Sequence, residues 1–535
     1  MKRTVAATLL SLCIAAQTAA QGLKSGRYEL PYKNTYVKEV FVAENEYRTA
    51  APERIEPRPF DEARRILPAP YWEGHDKEIE MYWHAWRIAV GNIRQPQEGS
   101  GFVSPYLDMA YNGNIFMWDM SFMMLYARYG YRYFPFQRSM DNFYAKQHPD
   151  GFICREIRAD GSDCFERYDP TSTGPDLLPW IELTYFRQFG DIDRLHRIFP
   201  ALCGYAKWWK LNRTWPDGTY WSSGWGTGMD NMPRVKPEYN PIFSHGHMVW
   251  LDTNLQQMLV DESLLQIGFH IERWQEIEWM EEEMKMLKRY INEHLWDERD
   301  GFLHDRYGDG SLCPTKGIGA YWALQTDALD KERLDRLVAH LSDTTEFARP
   351  HRVPSLSADH AKYNPVGRYW QGGVWPGTNY MVIDGLWRKG YRAQAREIAA
   401  NHYASVFEVW KKTGTFWEYY APERPEPGFM ARKDFVGWTG LPPIAVFIEY
   451  VLGIKSDYSE RRIEWDVTRT EAHGIERYPF GPNGVVDLKV RRRGSSSEVP
   501  AVTVSTDVPF DLTVLWGDGQ SRTVHVEKSG EVKLD

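Results

Sequence analysis

From Asp76 onward the apolar positions recur at intervals of three and four, the period that gathers them on one face of an α-helix. Leu251, Leu255, Met258 and Leu259 form one such stripe, and Ala395, Ile398 and Ala399 another. The pattern predicts helices over 77–94, 119–130, 135–147, 176–189, 191–212, 250–268, 271–295, 316–342 (as two), 375–389, 391–411 and 438–453. About twelve helices result, the number expected of an (α/α)6 toroid. After Gly453 the period changes to two: Val485-Val486-Asp487-Leu488-Lys489-Val490, Val502-Thr503-Val504-Ser505 and Val524-His525-Val526 alternate, with Pro and Gly between. The expected fold is therefore mainly α, a toroid followed by a small C-terminal β-sandwich. Residues 21–75 are Pro-rich and acidic, with Pro52, Pro57, Pro59, Pro68 and Pro70 breaking any long element. They read as an arm over a helical body at 76–455, with the β domain at 456–535.

The first twenty residues read as a secretory leader. Lys2 and Arg3 precede the apolar run Val5 to Ala16, which is too short to span a bilayer, and Thr18-Ala19-Ala20 offers small residues for cleavage before Gln21. Leu10-Ser11-Leu12-Cys13 has a bulky Leu where a lipid-attachment site wants a small residue, so a soluble periplasmic or secreted protein is expected, with no membrane partner. The formal net charge of −9 argues against nucleic acid, because phosphate backbones need a basic face. Cys154, Cys164, Cys203 and Cys313 are too few and too scattered for a disulfide framework, and their spacing offers no zinc pattern. A Cys154–Cys164 bridge and buried free thiols both fit. Aromatics make up 15% of the chain, with 23 Trp; most fill helix interfaces, but rings facing a cleft are also how proteins hold sugars.

Two acids stand out by their setting. Asp230 lies in Gly224-Trp225-Gly226-Thr227-Gly228-Met229-Asp230-Asn231-Met232-Pro233-Arg234, a glycine-rich loop that lets a ligand approach the main chain. Glu418 lies in Thr415-Phe416-Trp417-Glu418-Tyr419-Tyr420, again among aromatics. Cleaving an acetal without a metal needs one acid to protonate the leaving oxygen and one carboxylate to activate water or attack carbon. Two carboxylates in aromatic loops suit that chemistry, although an Asp in such a loop is more often a turn residue. His245-Gly246-His247 with Asp252 lacks a further ligand nearby and reads as a loop contact. No cofactor is expected, and a structural calcium stays open.

These loops resemble the inverting α-glycosidases of glycoside hydrolase family 63, relatives of trehalase. Gly228 to Arg234 resembles that family's G-M-D-N-S-P-R, and Tyr369-Trp370-Gln371-Gly372-Gly373-Val374-Trp375-Pro376 its Y-W-R-G-P-[VI]-W-P. Trp417-Glu418-Tyr419-Tyr420 resembles W-E-Y-Y, and Phe435 to Leu441 resembles F-x-G-W-[ST]-x-L. Gln371 and Gly373 replace the usual Arg and Pro, which leaves the acid and base intact and opens the identity of the bound sugar.

The resemblance implies Asp230 as general acid and Glu418 as general base, acting with inversion. Phe116-Met117-Trp118-Asp119 resembles the trehalase-like F-x-W-D block, which implies that Trp118 and Asp119 hold the sugar; without that, Asp119 is as well read as a helix N-cap. Substrate contacts are further expected from Phe116, Trp225, Gly228, Trp370, Gln371, Gly372, Trp375 and Trp417, while Asn231 and Arg234 either fix the loop or touch substrate. The expected protein is an exo-acting glycosidase of α-linked carbohydrates, α-glucosides first. Trehalase is a near rival; a phosphorylase or polysaccharide lyase on the same toroid, and a carbohydrate-binding protein without turnover, are the other classes.

Overall fold

The computed structural model describes residues 38–109 and 112–534, with the backbone of 23–25 and 28–30 besides. The leader expected over 1–20 lies outside the described residues.

Among the described residues, six segments close an inner ring: Met117–Ala127, Leu178–Phe189, Leu251–His270, Ile318–Gln325, Pro376–Arg388 and Leu441–Val451, each packed on the next and the last on the first. Met117–Ala127 and Leu441–Val451 are apolar nearly all round and every residue of both is buried, as expected of helices enclosed on all sides. Outside them run Asp76–Gly91, Ile192–Asn212, Trp279–Tyr290, Lys331–Ala339 and Arg392–Thr413. These keep a single apolar stripe, as in Ala395, Ile398, Ala399, His402, Val406 and Val409, and turn their other face to water. The architecture is mainly helical and of the toroid type.

Two inner segments wind differently from the α-helices that their periodicity predicts. Ile318–Gln325 is a 3-10 helix with all its residues buried, and Leu441–Val451 is π-helical. Both are wholly enclosed, so packing rather than helix propensity sets their winding. Pro442 and Pro443 fall in the first turn of the latter, where a missing N–H leaves no gap. The helix predicted over 135–147 divides into a 3-10 turn, Phe136–Met140, and Asp141–Ala145.

Strands begin at once after the ring. One sheet has Ile454–Asp457, Arg462–Val467, Phe510–Trp516 and Gln520–Val526 in that order, with Arg462–Val467 parallel to Phe510–Trp516. The other holds His473–Phe480, Gly484–Val490, Val502–Thr506 and Gly530–Val532. Its far edge is Ala69–Trp72, which pairs antiparallel with His473–Phe480, Trp72 opposite His473. The end of the proline-rich arm is thus a sheet edge. Phe480 of one sheet meets Phe510 of the other at 5.5 Å.

The connections that leave outer helices and enter inner ones open at one end of the ring. Phe116 to Asp119 start the Met117–Ala127 helix, the Asp230 loop precedes Leu251, the 369–375 loop precedes Pro376, and Glu418 lies on the way to Leu441. Four stretches far apart in sequence therefore share one rim.

Candidate active site

The Asp230 loop is seated by small residues and held by polar ones. Gly228 has φ +71°, and a Cβ there would stand 2.9–3.0 Å from three atoms of the Trp118 indole, so only glycine lets the loop lie flat on that ring. The Asn231 side chain accepts from the Trp370 N–H at 2.8 Å and donates to the Arg368 carbonyl at 3.3 Å. Gln371 Nε2 donates to the Asn231 carbonyl at 3.2 Å. Asn231 and Gln371 together clip the acid's loop to the 368–371 turn. Arg234 is only 5% exposed; its guanidinium donates to Thr227 Oγ1 and Asp252 Oδ2, both at 2.9 Å, and lies 4.3 Å over the Trp250 ring. It anchors the loop to the start of the Leu251–His270 helix. Asp252 is engaged in that pair, and His245 and His247 pack on Trp215 at 5.2 and 6.1 Å.

Glu418 is fixed through its backbone. Its N–H donates to the Arg432 carbonyl at 2.9 Å, its carbonyl accepts from Trp438 Nε1 at 2.6 Å, and its carboxylate accepts from the Arg432 N–H at 3.3 Å. Trp417, half-buried beside it, is held by Thr439 Oγ1 on its carbonyl at 2.7 Å and by its own Nε1 on Thr413 at 3.1 Å. Behind the pair stands an aromatic stack: Trp370 on Trp375 at 4.2 Å, and Trp375 on Tyr419 at 4.3 Å. Trp370 and Trp375 are 1% and 2% exposed, so they back the site rather than offer it an open face. Gly372, at φ +110°, lies 2.9 Å (as a built Cβ) from the Asn364 carbonyl and closes the turn that carries them.

Asp119 stands in the first turn of the Met117–Ala127 helix, whose N-cap is Phe116, and its side chain is buried. The N-cap alternative for Asp119 does not hold. Phe116 pairs with Glu156 in a short antiparallel ladder of two strands distant in the chain, and the backbone carbonyl of Arg155, next in line, accepts from the Met117 N–H at 2.8 Å. Arg155 lays its guanidinium 4.3 Å over Phe165 and 5.2 Å over Trp225, which makes Trp225 part of a cationic shelf.

Burial pushes Asp119 well above the usual carboxyl range, and the Glu418 charge adds to it while Arg155 opposes. Burial lifts Asp230 to about 6 against the pull of Arg155 and of the Tyr369 hydroxyl, which donates to Asp230 Oδ2 at 3.1 Å. Burial likewise lifts Glu418 to about 7, the Arg432 N–H opposing and the Asp230 charge adding. Asp119, Asp230 and Glu418 thus sense one another, and Tyr369, itself at φ +59°, senses all three. A bulky residue in the left-handed region is costly, and such strain gathers at functional sites. Sequence reasoning passed over two of these groups. Tyr369 stands inside the Y-W block and was legible there; Arg155 belongs to no motif, and only the fold brings it to the rim.

Buried acids gathered on the rim of a helical toroid suit the cleavage of a glycosidic bond. Residues 114–439 match the family described as the mannosylglycerate hydrolase MGH1-like glycoside hydrolase domain, more than half of the chain, and the protein belongs to that family. An uncharacterized protein of Borreliella burgdorferi is 24% identical over 360 residues, 64% of this chain and 73% of that one. A probable mannosyl-oligosaccharide glucosidase of Schizosaccharomyces pombe is 24% identical over 46% of this chain, a match that spans only 34% of the yeast protein. The crystal structure of the GH63 mannosylglycerate hydrolase from Thermus thermophilus in complex with glucose superposes with a TM-score of 0.55 at 18% identity, covering 69% of this chain and 99% of that one. This likeness is one of fold.

Proposed function

We propose that the protein is an exo-acting hydrolase of α-glycosidic bonds that works with inversion, Asp230 as general acid and Glu418 as general base. Asp230 gives its proton to the glycosidic oxygen as the bond to the anomeric carbon breaks. Glu418 takes a proton from the water that attacks that carbon from the opposite side. Asp119 accepts two sugar hydroxyls in the cleavage subsite, against Trp118, with Phe116, Trp225 and Trp417 beside it. The chemistry needs proton transfer alone, so no cofactor is invoked. An α-glucoside is the first candidate. The names of the relatives, a mannosylglycerate hydrolase and a mannosyl-oligosaccharide glucosidase, put α-mannosides and glycerate glycosides in the same screen, with trehalose as a further arm. We also read the protein as exported to the periplasm or beyond, and its two C-terminal sheets as a sandwich.

The observation that supports the reading is that Asp230 and Glu418 lie on one rim where burial lifts both toward neutrality, to about 6 and about 7, the Asp230 charge adding at Glu418. With values of about 6 and about 7, the singly protonated pair places its proton more often on Glu418. The two titrate as one unit, and the form with Asp230 protonated, though the minor one, is the form that hydrolyses.

The test is the first product. Proton NMR in the opening minutes, before mutarotation, should show the β-anomer released from an α-glycoside; an α-anomer appearing first sinks the inverting assignment. Asp230→Asn and Glu418→Gln should each lower turnover by at least about a hundredfold with substrate binding kept, since general acid–base catalysis contributes roughly 10²–10⁴-fold.

A further inference from the structure

At the opposite end of the ring from the carboxyls, the closing turns of the inner helices and the first two strands of the C-terminal sheet enclose a cavity of about 460 Å³, a size that holds a small molecule. The Met117–Ala127 and Pro376–Arg388 helices carry active-site residues at their starts and cavity residues, Arg128 and Arg388, at their ends. A helix of that length separates the two sites by about 15–20 Å.

The cavity holds more cations than its own acids engage. Glu449 is fully committed, accepting from Arg128 Nη2 at 2.7 Å, Tyr129 at 2.8 Å and Tyr380 at 2.7 Å. Glu464 is paired with Arg392 at 3.0 Å. Among the described residues, Arg187, Arg388, Lys455 and Arg462 have no carboxylate partner. Arg187 donates to the Gln266 amide at 2.8 Å, Arg388 to the Gln325 amide at 3.1 Å, and Lys455 to the Glu449 backbone carbonyl. Facing these four are Asp384, hydrogen-bonded to Gln325 and Tyr450, and Asp457, hydrogen-bonded to Ser459 and the Glu460 N–H, with Glu262 beyond the wall near Arg187 and Arg388. On a chain of formal net charge −9, this is a local positive excess.

Two simpler accounts fall short. Arg187 and Arg388 stand in the last turns of their helices, where a cation offsets the C-terminal dipole. That account leaves Lys455 and Arg462, which come from strands. A sugar would stack on an open ring, but Trp387 is already covered by Lys455 at 4.1 Å and Arg392 at 4.8 Å, and Tyr450 by Lys455 at 3.4 Å. Burial and the neighbouring Arg388 charge lower Arg187, and burial lowers Lys455 to about 8; both strains ease if an anion enters.

We propose that this cavity is a second binding site, separate from the catalytic cup, for a small oxyanion such as a phosphate or a phosphorylated sugar, gripped by Arg187, Arg388 and Lys455 with Arg462 at the mouth. Inorganic phosphate, glucose 6-phosphate and neutral glucose are titrated calorimetrically into the full-length protein at low ionic strength, and melting is followed in parallel. Phosphate or glucose 6-phosphate should bind and raise the melting temperature by mass action. Arg388→Met and Arg462→Ser, both at exposed positions, should each weaken that binding at least tenfold with hydrolysis unchanged, and Glu418→Gln should bind as wild type does. The proposal is overturned if neither anion binds at concentrations up to about 10 mM, if both rim variants bind as wild type does, or if the Glu418 variant alone loses binding, which would put the anion in the catalytic cup. The outcome is independent of which glycoside the protein hydrolyses.

Discussion

Asp230 and Glu418 show how one residue type is tuned by its surroundings. Both carboxyls are raised, to about 6 and about 7, by burial above all, so kcat/KM should be bell-shaped with its optimum between those values. Tyr369 opposes the rise at Asp230 by donating to the ionised form. Tyr369→Phe removes that donor, Asp230 holds its proton to higher pH, and the whole bell should move upward; an unmoved profile would deny the hydroxyl this role. The same shifts make a statement about stability. A carboxyl with a raised folded pKa contributes stability that is complete below its unfolded value and is lost as pH rises through its folded value. Asp230→Asn and Glu418→Gln should therefore melt like wild type below about pH 4 and above it by pH 8, as calorimetry across that range can check. Asp230 and Glu418 were legible as candidates in the sequence because each lies in a distinctive loop; Arg155 was not, because a pairing between strands distant in the chain brings it to the rim.

At the level of elements, the loops are shaped by a few positions that tolerate no side chain or no other donor. Gly228→Ala would drive a methyl into the Trp118 indole at a left-handed backbone position. Strain of this kind costs about 1–3 kcal/mol, and here it falls on a ring proposed to line the subsite. The variant should lose activity more steeply than stability, measured as a drop in kcat/KM beside a modest fall in melting temperature. Gln371 carries a similar lesson. It stands where the resembled family has Arg, and in this structure its amide bonds to the Asn231 carbonyl, so part of what that position does here is to join two loops. Helix positions were readable from periodicity to within a few residues. Their winding was not: Ile318–Gln325 and Leu441–Val451 are enclosed on every side, and a pattern that marks which residues are apolar says nothing of how tightly neighbours make a segment coil.

Over the whole molecule, the arm, the ring and the sheets are tied together. Ala69–Trp72 is the edge strand beside His473–Phe480, Arg469 covers the Trp72 ring at 4.0 Å, and Trp465 bonds to the Leu452 carbonyl at 2.9 Å. Scanning calorimetry of the full-length protein should show one cooperative transition, and a chain ending at residue 457, which uncovers Trp72, should fail to melt cooperatively; two well-separated transitions would show independent units instead. The sequence by itself determined the helical class, the change to strands after Gly453 and the loops that carry the two candidate acids, because these rest on local periodicity and on motifs that read within one stretch of chain. Only the tertiary structure decided that a strand from the arm completes a sheet more than four hundred residues away, that Asp119, Asp230, Glu418 and Tyr369 share one electrostatic field, and that unmatched cations gather at the far end of the ring. Strand pairing and charge coupling act through space, between groups whose separation along the chain carries no trace of their contact.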